Sequence, residues 1–187
     1  MNKLFFLFIC TCVLISPLEM IFGSENTLEF RSAAFFHQSK KFRHVYDPIS
    51  VDYQLDGTLA LSPSFELWVE FDYTTKSKKK ECYYTKIKLT NCSLGLQYVH
   101  RFFPKLEGYI GTGVSLVRAN LHNRSCCSDE WENKTAWGSL SKVGVRYWVT
   151  DNLFLDVFTD YLYQEVHFKK SVNVGGFKTG LGIGIGF

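Results

Sequence analysis

Phe65-Glu66-Leu67-Trp68-Val69-Glu70-Phe71-Asp72-Tyr73 decides the fold. Its odd positions are all apolar or aromatic, and three of its four even positions are acids. A period of two is the pleat of a β-strand, whereas a helical period would mix the two sets. The same alternation recurs along the chain. It runs through Leu28, Phe30, Ala34 and Phe36, then Val51, Tyr53, Leu55, Leu59 and Leu61. Beyond residue 73 it returns at Leu94, Leu96 and Tyr98, and at Leu106, Ile110, Val114 and Leu116. Three more runs follow: Val143 to Val149, Leu153 to Tyr163, and Leu181 to Phe187. Eight strands are therefore expected, with no run after the first segment apolar enough to be a spanning helix.

The connections alternate in length. Ser62-Pro63-Ser64, Val99 to Lys105 and Thr150-Asp151-Asn152 read as short turns. The stretches 37–50, 75–86, 122–136 and 168–176 are polar and read as long loops. Short turns at one end and long loops at the other are the plan of an outer-membrane barrel. An even strand count puts both ends of the barrel at the short-turn side, where the last strand can close on the first.

Periodicity alone does not say which face is inside. A secreted lipocalin-like barrel would put the apolar face inward. Two features favour apolar-out. On the last strand the non-apolar face is Gly180, Gly182, Gly184 and Gly186, which suits a crowded lumen. The second feature is charge. With the apolar face outward, the lumen receives Arg31, Glu66, Glu70, Asp72, Lys142, Arg146, Asp156 and Asp160, with Glu29, Asp52, Asp56, Glu107 and Lys178. If Val149 pairs with Leu153, one register sets Arg146 opposite Asp156 and Lys142 opposite Asp160. Acids outnumber bases, so the remainder must share protons, water or loop bases. The fold class is all-β: an eight-stranded antiparallel up-and-down transmembrane β-barrel.

The chain opens with Lys3, an apolar run from Leu4 to Ile15, Pro17 and the small residues Gly23-Ser24. That order is a secretory signal peptide, expected at 1–23 and followed by one barrel domain at 24–187. A net charge of +3 gives no reason to expect nucleic acid. Cys82, Cys92, Cys126 and Cys127 lie after the signal, in a chain bound for an oxidising compartment. A disulfide from Cys82 to Cys126 or Cys127 is one reading. Free or intermolecular thiols are a second, a strained ring between adjacent Cys126 and Cys127 ranks last, and sequence does not decide among them.

The last strand, Thr179-Gly180-Leu181-Gly182-Ile183-Gly184-Ile185-Gly186-Phe187, with the barrel pattern before it, resembles small outer-membrane proteins of the OmpA, OmpX and OmpW type. The resemblance to OmpA is confined to the barrel. It implies that Leu181, Ile183, Ile185 and Phe187 form the signal read by the barrel-assembly machinery.

No catalytic constellation, metal site or cofactor motif is found. His37, His44, His100, His122 and His167 are isolated, and the grouping Asp160, His167 and Ser171 is weak. The basic residues Lys40, Lys41, Arg43 and His44, then Lys76, Lys78, Lys79 and Lys80, then Lys169 and Lys170, either solvate loops or attract anionic lipopolysaccharide or host glycans. The expected function is a non-enzymatic envelope barrel with a filled lumen and exposed loops, in a structural or attachment role. Its partners would be outer-membrane lipid and lipopolysaccharide. A narrow channel for small apolar or ionic solutes and a secreted ligand-binding barrel are the alternatives.

Overall fold

A computed structural model describes residues 26–40, 43, 48–80, 83–125, 129–167 and 171–187. The expected signal segment, Cys82, Cys126 and Cys127 lie outside the described residues. So do Lys41, His44, Lys169 and Lys170. The strands are β1 (Thr27–His37), β2 (Ile49–Ser62), β3 (Phe65–Lys80), β4 (Tyr83–Phe103), β5 (Leu106–Ser125), β6 (Asp129–Trp148), β7 (Leu153–His167), β8 (Ser171–Asn173) and β9 (Gly176–Gly186). Every pairing is antiparallel, and β1 to β7 bond their sequence neighbours in turn. β9 sits between β7 and β1 and closes the cylinder. The three-residue β8 pairs with β7 alone, so the barrel itself has eight strands.

Alternation is carried through the closed sheet. Leu28, Phe30, Val51, Leu55, Leu94, Leu96, Ile110, Val114, Val143, Val157, Leu181 and Ile183 are exposed on the outside. Their in-between neighbours are buried or half-buried. Aromatic rings collect at both rims of this apolar band. Phe65 meets Tyr98 edge-on at 5.5 Å near the short turns, and Tyr161 lies 4.7 Å from Phe177 at the other end. Such girdles mark the two interfaces of a membrane. The apolar face is therefore outward, and a lipocalin-like arrangement is excluded.

Several stretches read as loops or turns are strand. Residues 75–80 and 83–86 continue β3 and β4, and 122–125 and 129–136 continue β5 and β6. Part of 168–176 is β8, and Val99–Phe103 belongs to β4, with a register irregularity between Arg101 and Phe103. The physical reason is solvent. Above the membrane a strand is wet on its outer face, so polarity there no longer signals a loop. Ladder bonds and β-forming residues such as Tyr84, Thr85 and Ile87 keep it extended. About 9–11 tilted residues suffice to cross a bilayer. β1 and β9 have 11 residues, but β4 has 21 and β5 and β6 have 20 each. Four strands, β3 to β6, therefore rise as a wall above the membrane.

The inner wall makes room for large side chains by placing glycine beside them. Trp68, fully buried, lies against the backbone of Gly95, Gly111 and Gly113. A methyl group on Gly113 would come within 2.7 Å of the Trp68 ring and of the Gly95 Cα. The glycines of β9 serve likewise: the Glu29 and Phe154 side chains fill the space at Gly182 and Gly184, and the β1 backbone at Ser32 and Ala33 comes close to Gly180. Gly57 is different, because a methyl there would meet only the Thr27 carbonyl at 3.9 Å. We expect Gly113→Val to destabilise the barrel by about 1–3 kcal/mol through overpacking. Gly57→Ala should be close to neutral. Urea unfolding in detergent micelles, followed by the gel mobility shift on heating, reads both.

Candidate functional site: a filled lumen and a tall outer wall

The lumen is built from inward-facing positions of all eight long strands, and charge occupies its middle. Arg31 on β1 is fully buried. Its guanidinium reaches Glu29 at 2.8 Å, Asp56 at 3.0 Å and Asp156 at 3.0 Å. It also donates to the Tyr109 hydroxyl at 2.9 Å, and that hydroxyl donates to Asp156 at 2.8 Å. Lys142 on β6 bridges Asp56 and Glu70, the latter at 2.8 Å, and its ammonium lies 4.5 Å from the Trp68 ring centre. Towards the short turns, Arg146 pairs with Glu66 at 3.1 Å and stacks 4.8 Å from Tyr109. Towards the outer end, Lys178 on β9 bridges Asp52 at 2.9 Å and Asp72 at 2.5 Å.

The register expected for β6 and β7 is the one observed. Arg146 stands opposite Asp156, Lys142 opposite Asp160, and the Val149 amide donates to the Leu153 carbonyl at 2.8 Å. The side chains do not pair along that register. Lys142 and Arg146 turn to acids on β2 and β3, and Asp156 takes its cation from β1. Asp160 is buried, and neither carboxylate oxygen has a hydrogen-bond partner among the described residues. The physical reason is barrel width. A long base can cross a narrow lumen, where several acids compete for it, and alternation along one hairpin carries no information about strands further round.

Apolar layers complete the filling, and alternation did not anticipate them because they stand at inward positions. Phe35, Trp68, Leu140 and Leu162 pack together beside the charges. At the outer end Ile87, Leu89, Val117 and Ala119 meet Val166 of β7 and Val174, which follows β8. Here β7 leaves β6 after the Gly138–Gln164 pair and bonds β8. The β7–β8 hairpin thus brings its valines against the inner face of the tall wall. Between the apolar end and the charges lies a polar layer, in which Gln164 donates to Ser115 at 2.7 Å.

The outer face of the wall is a second constellation. Phe71, Cys92, Leu116 and Trp137 form one row across β3 to β6 at the top of the apolar band. The next outward rows carry Arg118, then Lys88 with Asn120 and Asn133, then Lys86 with His122 and Trp131. Trp131 is 68% exposed yet stacks on His122 at 3.9 Å and 13°, and Tyr84 meets the same imidazole edge-on at 6.1 Å. Sequence reasoning missed this group because Lys86, His122 and Trp131 fell inside stretches taken as loops. Cys92 lies on the outward face with Leu94 and Leu96.

The lumen charges differ in what their loss should do. Lys142→Met leaves Asp56 and Glu70 buried without that cation and should cost about 3–5 kcal/mol. Arg101→Gln breaks a pair with Glu107 in which the arginine is 62% exposed though the acid is buried, and should cost less than Lys142→Met because water already reaches the cation. Asp160→Asn should be neutral or stabilising. Unfolding midpoints of the three variants in one detergent decide, and equal effects of Lys142→Met and Arg101→Gln would show that the ladder is not structural.

Solved structures match this fold. Neisserial surface protein A is 20% identical with a TM-score of 0.65, and the alignment covers 87% of this chain and 97% of that one. Ail, the attachment invasion locus protein of Yersinia pestis, is 15% identical with a TM-score of 0.60, covering 87% of this chain and 99% of that one. A major outer membrane protein of Thermus thermophilus is 12% identical with a TM-score of 0.51, covering 87% of this chain and 98% of that one. Comparison with curated proteins gives no match. The family model described as Opacity family porin protein matches residues 51–187, which run from within β2 to the end of the barrel. An apolar band with two aromatic rims, a closed eight-stranded wall and that match together make the chain a member of the Opacity porin family, a small β-barrel of the bacterial outer membrane.

Proposed function

We propose that this protein is a non-conducting, non-enzymatic surface barrel, a rigid anchor that holds a four-stranded wall above the outer leaflet for envelope integrity and attachment. One observation carries the reading: the lumen is filled along its length. Arg31 and Lys142 are tied across the middle, and the Ile87–Val117–Val166–Val174 cluster stands at the outer end. A barrel of eight strands has room for its own side chains and little else. A similar structure points the same way: Ail is named the attachment invasion locus protein and was also solved in complex with the heparin analogue sucrose octasulfate. Lipopolysaccharide is the nearest anionic partner for such a wall.

Leu181, Ile183, Ile185 and Phe187 form the assembly signal in this reading, all four being exposed on the lipid face of β9 and its end. The barrel-assembly machinery is the partner that reads it. Residues 1–23 serve as the cleaved export signal.

Planar-bilayer recording tests the central claim. The refolded protein should add no steady conductance, and discrete single-channel steps would replace this reading with a narrow channel. Deleting Phe187 should reduce inserted protein in cells several-fold while leaving refolding in detergent nearly unchanged. Equal insertion of wild type and deletion would remove the terminal residue from the signal.

A further inference from the structure

The two faces of the tall wall differ in charge. Among the described side chains of 84–90, 118–124 and 130–135, the outer face carries Lys86, Lys88, Arg118 and Arg124 and no acid. Glu130, Glu132 and Lys134 alternate with Trp131 and so belong to the inner face, which mixes signs. A sheet that needed only solubility would mix signs on its wet outer face too. Here the charged residues of that face, among the described side chains, are all cations, and the face also holds Trp131, a large ring left 68% exposed beyond the apolar band.

Position fixes what such a face can meet. Outward rows on a strand are about 7 Å apart. Arg118, Lys88 and Lys86 therefore stand one, two and three such steps beyond the Phe71–Cys92–Leu116–Trp137 row. They continue upward the same side of the sheet that carries Leu94, Val114 and Val143 in the lipid below. A molecule lying against this wall sideways, with acyl chains on the band, would place its headgroup on the cations. A headgroup long enough to span three rows, anionic, and with a face for Trp131 to stack on is a phosphorylated or otherwise acidic saccharide.

We infer that the outer face of β4–β6, through Lys86, Lys88, Arg118 and Trp131, is a docking site for the acidic sugar headgroup of a glycolipid in the surrounding outer leaflet. The cations supply charge pairing with phosphate or carboxylate, worth most close to the surface where screening is least. Trp131, already stacked on His122, offers its other face to a sugar ring, and Asn120 and Asn133 offer hydrogen bonds beside it. The inference rests on the anchor reading above only in placing the wall outside the membrane, and it does not require the lumen to be closed.

The test uses the full mature chain refolded in neutral detergent, with folding of each variant checked by its mobility shift on heating. Deep-rough lipopolysaccharide, the same material stripped of phosphate, phosphatidylglycerol vesicles and soluble sucrose octasulfate are the probes. Wild type should bind the intact glycolipid most tightly. The triple variant Lys86→Gln/Lys88→Gln/Arg118→Gln should lose at least about tenfold in affinity. Trp131→Leu should lose several-fold while keeping the charge. Unchanged affinity in both variants would overturn the site. Binding of phosphatidylglycerol as tight as that of glycolipid would overturn saccharide recognition. Tighter binding of sucrose octasulfate would overturn the membrane source in favour of a soluble polyanion. Conductance measured on the same samples separates the two readings: a silent barrel that ignores glycolipid sinks this inference alone, and a conducting barrel that binds it sinks only the anchor reading.

Discussion

A sheet in hydrocarbon cannot leave an edge unbonded, and everything else in this molecule follows from meeting that constraint. β1 is bonded on one side by β2 and on the other by β9, so the chain returns to its own beginning. Asn26 and Phe187 exchange backbone hydrogen bonds at 3.1 and 3.0 Å where the two strands meet. Closure with eight strands fixes a narrow cylinder, and a narrow cylinder fixes what can face inward. Alternation then sends every second residue to lipid and the rest into a space too small for bulk water.

That confinement explains the composition of the lumen. A buried base with one acid would gain little over an apolar pair of the same size. Arg31, Lys142 and Lys178 instead each hold two or more acids; Tyr109 and Gln54 donate to oxygens of Asp156 and Asp52 that already meet a base, and Asn91 takes the second oxygen of Asp72. The arrangement links β1, β2, β3, β6, β7 and β9, so strands that share no backbone bond are tied through side chains. Glycine supplies the remaining space: Trp68 fits against the wall only because Gly95 and Gly113 present bare backbone to it.

Much of this was legible in the chain. The alternation from Phe65 to Tyr73, and its repeats, gave strand number, facing and the register of β6 on β7. The glycine face of β9 gave the crowded interior. Besides the inward apolar layers, two things were not legible. Ion-pair partners across the lumen depend on barrel width and strand tilt, which no single hairpin encodes, so Lys142 was matched with Asp160 rather than with Asp56 and Glu70. Strand ends above the membrane were hidden because outside lipid the outward side of a strand is polar. Lys86, His122 and Trp131 therefore read as loop.

The apolar cluster of Ile87, Leu89, Val117, Val166 and Val174 stands where the lumen would otherwise open to the medium. Mobile ions screen a charge only where they can approach it, and buried pairs are screened far less than exposed ones. The ladder around Arg31 is therefore insulated from salinity outside the cell, and the strength of its ties does not vary with the surroundings. Lys88 and Arg118, on the wet side of the same strands, have no such insulation. One chain thus carries two populations of charge, one indifferent to the ionic environment and one that reports it.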